Sequence, residues 1–118
     1  MIALDTNVLA RYYAVPGQPS EEAEQRRAAA LLASERALFV PVTVALELAW
    51  VLIGRYECDP PTVGKVFDHL LSLPNVTTES AAAVAQAAAW HRKGLDFADA
   101  LHLARCGHCT ELASFDKK

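Results

Sequence analysis

Apolar residues fall into short runs that alternate with longer helical stretches along the whole chain. The run "MIAL" stops at Asp5, and "TNVLARYYA" follows with helical character, which predicts a strand that feeds directly into a helix. After the loop "PGQPS", Ser20 is placed to cap "EEAEQRRAAALLAS", whose acids come early and whose Arg26 and Arg27 come later, as a helix dipole favours. "ALFVP" (Ala37 to Pro41) reads as a second buried strand, with Thr43 capping the apolar helix "VALELAWVLIGRY". Asp59, followed by Pro60 and Pro61, opens "TVGKVFDHLLSL". "NVTT" is a third strand, and "ESAAAVAQAAAWHRKG" a helix closed by Gly94. The last helix begins at "GLDFADALHLA", and "TELASFD" offers a fourth strand from Thr110 to about Ser114. Strands alternating with helices predict an α/β fold with a mostly parallel sheet covered on both faces.

Length and composition fit that picture. The chain has 118 residues, 53% of them hydrophobic and 21% charged, enough apolar material for one packed core and too much for disorder. No repeat, linker or low-complexity tract divides it, so one domain over residues 1–118 is expected. Met1 leads into Ile-Ala-Leu without a basic segment, so no secretory leader is expected. The most apolar run, from Val42 to Ile53, is short for a bilayer and contains Glu47, so no membrane association is expected. Three cysteines, Cys58, Cys106 and Cys109, are an odd count that argues against a disulfide framework, and the cytoplasm is the natural location.

Open α/β sheets bind ligands at the carboxyl ends of their strands, which makes the position of each acid informative. Asp5 closes the first strand and Asp116 lies just beyond the fourth. If those strands are central and parallel, both carboxylates emerge at one edge. Glu47 lies in the early turns of the helix after the second strand, and Asp99 in the first turn of the last helix. Four carboxylates then meet in one cleft. Each has a simpler reading alone: Asp5 as a helix cap, Glu47 as half of a salt bridge or a surface residue, Asp116 as a turn residue. Asp96 with Asp99 three positions on resembles a capping box. Glu47 is the only ionisable residue between Val42 and Ile53 and is expected beside the core face, where an unpaired charge is costly. Clustered carboxylates repel, and a divalent cation relieves them; all-oxygen ligands favour Mg²⁺ or Mn²⁺. Such a site suits metal-assisted hydrolysis of a phosphodiester.

Net charge is −3, mildly against a nucleic-acid partner. Setting aside Asp5, Glu47, Asp96, Asp99 and Asp116 leaves nine acids against 11 basic residues, so the remaining surface is slightly basic. Charge therefore excludes nothing.

The segments "LDTNVL", "ALELAWVL", "LDFADALHLA" and "SFDKK" together resemble the four acidic motifs of PIN domains, in order and over nearly the whole chain. The spacing is most similar to the small PIN-domain toxins of bacterial toxin–antitoxin pairs, the VapC type. The resemblance implies a three-layer α/β/α fold around a mostly parallel sheet of four or more short strands. It implies a catalytic and metal-binding set of Asp5, Glu47, Asp99 and Asp116. Asp96 is then an auxiliary acid or simply the helix cap, and Thr6, Asn7 and Ser114 orient carboxylates or water. The implied activity is Mg²⁺- or Mn²⁺-dependent cleavage of RNA, restrained by an antitoxin protein, in a homodimer. Relatives usually continue past the position of Lys118 through another helix and strand, so a shortened end is expected, with Asp116 less firmly held and activity the property most affected.

Other features are not assigned chemistry. "CGHC" (Cys106 to Cys109) leaves a helix rather than opening one after a strand, and no second ligand pair accompanies it. His102, one turn after Asp99, is expected to be structural. Trp50, Trp90, Tyr12, Tyr13 and Phe97 are expected in the core or an interface rather than as base-stacking platforms. Arg11, Arg55, Lys93, Lys117 and Lys118 follow acidic motifs and stand where an RNA backbone would pass, although each reads equally well as a solvated charge. Two other readings remain: a PIN-fold binding module without catalysis, and a phosphoacceptor receiver domain. The receiver needs an aspartate ending a middle strand, and "FVP" and "NVTT" supply none.

Overall fold

The computed structural model describes residues 1–113 and Phe115. Its elements are β1 (Ile2–Ala3), α1 (Thr6–Tyr13), α2 (Pro19–Ala33), β2 (Leu38–Val40), α3 (Val42–Gly54), α4 (Pro60–Ser72), β3 (Val76–Thr78), α5 (Ala81–Arg92) and α6 (Phe97–Ala104). The strands are parallel in the order β1-β2-β3, with Ile2 opposite Leu38 and Leu38 opposite Val76. Helices flank this sheet. One pairing lies beyond the strands proper: Leu4 N–H donates to Phe39 O at 2.8 Å, carrying the first chain segment forward to Asp5.

Strands this short rely on what covers them. Leu38 and Val40 are fully buried in one core with Leu9, Leu32, Leu48, Leu52, Val63, Phe67, Leu70, Val84 and Phe97, so every flanking helix lends it a large side chain. Phe67 of α4 stacks on Phe97 of α6 with ring centroids 5.1 Å apart, which anchors the start of α6.

The fourth strand does not form among the described residues. Thr110 to Ala113 carry no ladder hydrogen bonds and are exposed, and Ser114 lies outside the described residues. Leu112, the one large apolar residue there, is 48% exposed, so nothing supplies the two-sided burial that a parallel strand needs.

Several helix boundaries are set locally. Asp59 Oδ1 accepts from Thr62 N–H at 3.0 Å, and Pro60 and Pro61 follow as the first two helical residues. Gly94, at φ +107°, ends α5, its N–H bonded to His91 O at 2.9 Å. Two expected caps are displaced. α2 starts at Pro19 with Gln18 as its flanking residue, so Ser20 is already inside the helix. α3 starts at Val42, after Pro41, and Thr43 is likewise inside. The Val42 N–H is instead taken by Glu79 Oε1 at 2.8 Å, an acceptor delivered from the end of β3. No helix among the described residues is long and apolar enough to cross a membrane.

Candidate active site

The carboxyl edge of the sheet collects acids because three chain segments leave it there. Asp5 follows β1 and caps α1, its Oδ1 accepting from Thr6 N–H at 2.8 Å. Glu79 follows β3, its own N–H bonded to Val40 O at 2.8 Å, so Asp5 and Glu79 flank the end of β2. Thr6 is buried, and its hydroxyl donates to Glu47 Oε1 at 3.2 Å, which brings the start of α1 against the middle of α3. Asp5 and Glu47 are thus brought together through one threonine.

Asp99 arrives with α6. Asp96 caps that helix, its Oδ1 accepting from Asp99 N–H at 3.1 Å, so Asp96 does start the helix as its spacing suggests. α6 packs on α3, and a groove of about 350 Å³ between them is lined by Leu46, Glu47, Trp50 and Ala98. The first turn of α6, which carries Asp99, therefore lies alongside Glu47.

Glu47 is exposed, contrary to its expected place beside the core. The reason is the helical stripe it occupies. Val42, Val44, Ala45, Leu48, Ala49 and Leu52 form the buried face of α3, whereas Thr43, Glu47, Trp50 and Gly54, at offsets of four, seven and eleven, form the outer one. The desolvation argument for Glu47 therefore fails, and its position rests on the Thr6 contact instead. Of the aromatic residues expected in the core or an interface, Trp50 lies outside the core at 78% exposed, while Phe97 is buried and Trp90, Tyr12 and Tyr13 are half-buried.

Asn7 lines a different cavity, of about 240 Å³, between α1 and α2, together with Arg11, Glu24 and Arg27. Arg11 and Arg55 are engaged by α2. Arg11 Nε donates to Glu24 Oε1 at 3.3 Å, Arg11 Nη1 to the Tyr56 hydroxyl at 3.2 Å, and Arg11 Nη2 and Arg55 Nη2 each lie 3.9 Å from Glu21 Oε1. The Glu24 hydrogen bond, ahead of the charges of Tyr56 and Glu21, holds the Arg11 guanidinium above its ordinary pKa. Those two cations are compensated within the protein. Asp116, Ser114, Lys117 and Lys118 lie outside the described residues.

The remaining donors suit a hard cation in chemistry. Asp5 and Glu47 each commit one carboxylate oxygen to Thr6, and Asp5, Glu47 and Asp99 have no ion pair among the described residues. Oxygen ligands with net negative charge are what Mg²⁺ and Mn²⁺ take. Asp5 and Asp99 also stand at helix N-termini, whose partial positive charge eases the gathering of acids. Among the described residues, no three acidic, histidine or cysteine side chains stand close enough to hold one ion. The "CGHC" segment forms a turn after α6, Cys109 N–H bonding to Cys106 O at 2.9 Å, and all three cysteines are free.

The fold, a parallel sheet of three strands flanked by helices, is matched at the level of family. A model of the PIN domain matches residues 2–118, and the chain belongs to the PIN domain family. PIN domains are generally nucleases and typically use divalent metals. No curated protein and no solved structure matches the chain. The family assignment sets aside the receiver domain.

Sequence reasoning missed Glu79. Its capping of α3 spans 37 residues, and nothing in "TTES" separates it from an ordinary surface glutamate.

Proposed function

We propose that the chain is a Mg²⁺- or Mn²⁺-dependent endoribonuclease of the toxin–antitoxin kind. The observation that carries this reading is the contact between Thr6 and Glu47, which joins the acids of the first two motifs in a family of nucleases. Asp5, Glu47, Asp99 and Asp116 are the residues that would hold the cation. A divalent ion bound there would supply positive charge at the scissile phosphate and acidify a water.

The chain's own groups do the positioning. Thr6 N–H fixes the rotamer of Asp5, and the Thr6 hydroxyl engages Glu47 Oε1, which leaves Oε2 free for the cation. Asp96 sets the first turn of α6 and with it Asp99. Asn7 and Ser114 are proposed to orient water or carboxylates. The proposal includes restraint by an antitoxin protein and assembly as a homodimer, both supported by the likeness of the four motifs to VapC-type toxins.

The test is cleavage of a single-stranded RNA with Mn²⁺, against EDTA and against Asp5→Asn prepared identically. Asparagine caps a helix as well as aspartate, so this variant keeps the fold while losing the charge. Cleavage that needs both metal and Asp5 establishes the nuclease. Equal cleavage by variant and wild type overturns it.

A second reading, a PIN-fold binding module without catalysis, is favoured by one observation: no three-ligand cluster forms among the described residues. It predicts no metal-dependent cleavage by the protein.

A further inference from the structure

Trp50 is the feature that the fold leaves unexplained. It is a large aromatic side chain, 78% exposed, on a helix whose other face is wholly buried. Packing of the described core does not use it. It stands one turn from Glu47 on the outer stripe of α3, and both line the groove closed on its far side by Ala98. Residues three apart on a helix have neighbouring side chains, so the indole borders the acid site itself.

We propose that Trp50 stacks an unpaired base of the substrate, at the nucleotide next to the cleaved bond. This rests on the nuclease reading and assigns that same site a base-holding residue. Every base offers a π-face, and an exposed indole is the strongest stacking platform a protein has. A base seated on Trp50 puts its own phosphodiester beside Glu47, whereas a base held in a duplex presents no free face. The other wall continues in a way that suits a backbone. His102 of α6 and Arg105, the residue that closes it, follow Ala98 at offsets of four and seven, and both are exposed.

A protein partner fits the same surface less well. The residues sharing the outer stripe with Trp50 are Thr43, Glu47 and Gly54, and the groove adds Leu46 and Ala98 as its apolar lining, a small patch beside the roughly 800 Å² that stable interfaces bury on each side. Covering the groove with apolar side chains would also bury the Glu47 carboxylate without a cation. A stacked base leaves that carboxylate at an open rim.

The experiment uses a short single-stranded oligonucleotide, 2′-O-methylated so that it cannot be cut, and the Trp90→Phe protein, in which Trp50 is the only indole. Binding is expected to quench the tryptophan emission. Trp50→Ala in the otherwise wild-type chain is expected to weaken binding about ten- to a hundredfold, while Trp50→Phe retains most of it. A blunt duplex of the same sequence is expected to bind wild type and Trp50→Ala alike. Equal oligonucleotide binding by wild type and Trp50→Ala, or no binding by wild type, overturns the proposal. So does a change from dimer to monomer in Trp50→Ala with oligonucleotide binding unchanged, which assigns the face to a second copy. Tight, Trp50-dependent binding without any cleavage would overturn the nuclease reading and leave the stacking role standing. Cleavage indifferent to Trp50 would do the reverse.

Discussion

The Thr6 hydroxyl donates to Glu47 Oε1 across 3.2 Å, a contact between residues 41 positions apart. It is the one side-chain bond among the described residues that ties the acidic start of α1 to the acid of α3. Thr6 is buried and Glu47 exposed, so the bond fixes a solvent-facing carboxylate from the protein side.

Thr6→Val removes that donor with little change of shape. Urea unfolding is expected to show a loss of about 1 kcal/mol, the usual net worth of such a bond. Metal-dependent cleavage is expected to fall by roughly 10- to 100-fold, as for other residues that orient ligands. Thr6→Ser, which keeps the hydroxyl, is expected to restore most of both.

Asp96 and Asp99 are separable. Asp96→Ser keeps a capping oxygen for the Asp99 N–H and is expected to leave both melting temperature and cleavage near wild type, whereas Asp96→Ala is expected to cost about 1 kcal/mol. Asp99→Asn is expected to abolish cleavage while leaving the melting temperature unchanged, since the Asp99 side chain carries no cap or ion pair among the described residues. Cleavage lost in Asp96→Ser would make Asp96 a metal ligand rather than a cap.

Glu79 caps a helix from a distance. Glu79→Ala strips the acceptor from Val42 N–H and is expected to destabilise the protein by about 1 kcal/mol in chemical denaturation, with Glu79→Gln recovering much of it. Because α3 carries Glu47, cleavage in Glu79→Ala is expected to drop in step.

Asp59 gives a pH signature. Hydrogen bonds from Thr62, its hydroxyl first and its backbone N–H second, hold the Asp59 carboxyl below its ordinary value of 3.8. A carboxyl lowered in the folded state stabilises above that ordinary value and ceases to do so as pH falls through the folded one. Asp59→Asn keeps a capping oxygen but does not titrate. Its melting temperature is expected to lie below wild type at neutral pH, with the gap closing as the pH falls through the lowered value of the folded carboxyl.

The sequence revealed what is decided locally. Asp59 before two prolines, Gly94 after a basic turn, and Asp96 three residues before Asp99 each set a helix end by their own backbone or side chain, and each is where the pattern puts it. The expected caps Ser20 and Thr43 failed because the start of α2 is taken by Pro19 and that of α3 by Glu79, a residue that only folding brings near. The same limit applies in the site. The order of acids along the chain was readable, as was the parallel sheet that gathers Asp5 and Glu47. The face of α3 was not, because "VALELAWVLIG" is apolar nearly all round and only its neighbours decide that Leu48 turns inward while Glu47 and Trp50 turn outward. The fourth strand asked "TELAS" to be covered on two sides, and among the described residues nothing covers it.

The sheet is assembled in the order in which it is synthesised, β1 then β2 then β3, while α6 comes last of the described elements. A single domain nevertheless folds as one cooperative unit. Phe67 stacked on Phe97 makes the last helix part of that unit, so the positions of Asp5 and Glu47 settle only once α6 is present. A chain cut short before Phe97 is therefore expected to lose the whole fold rather than to keep a partial one.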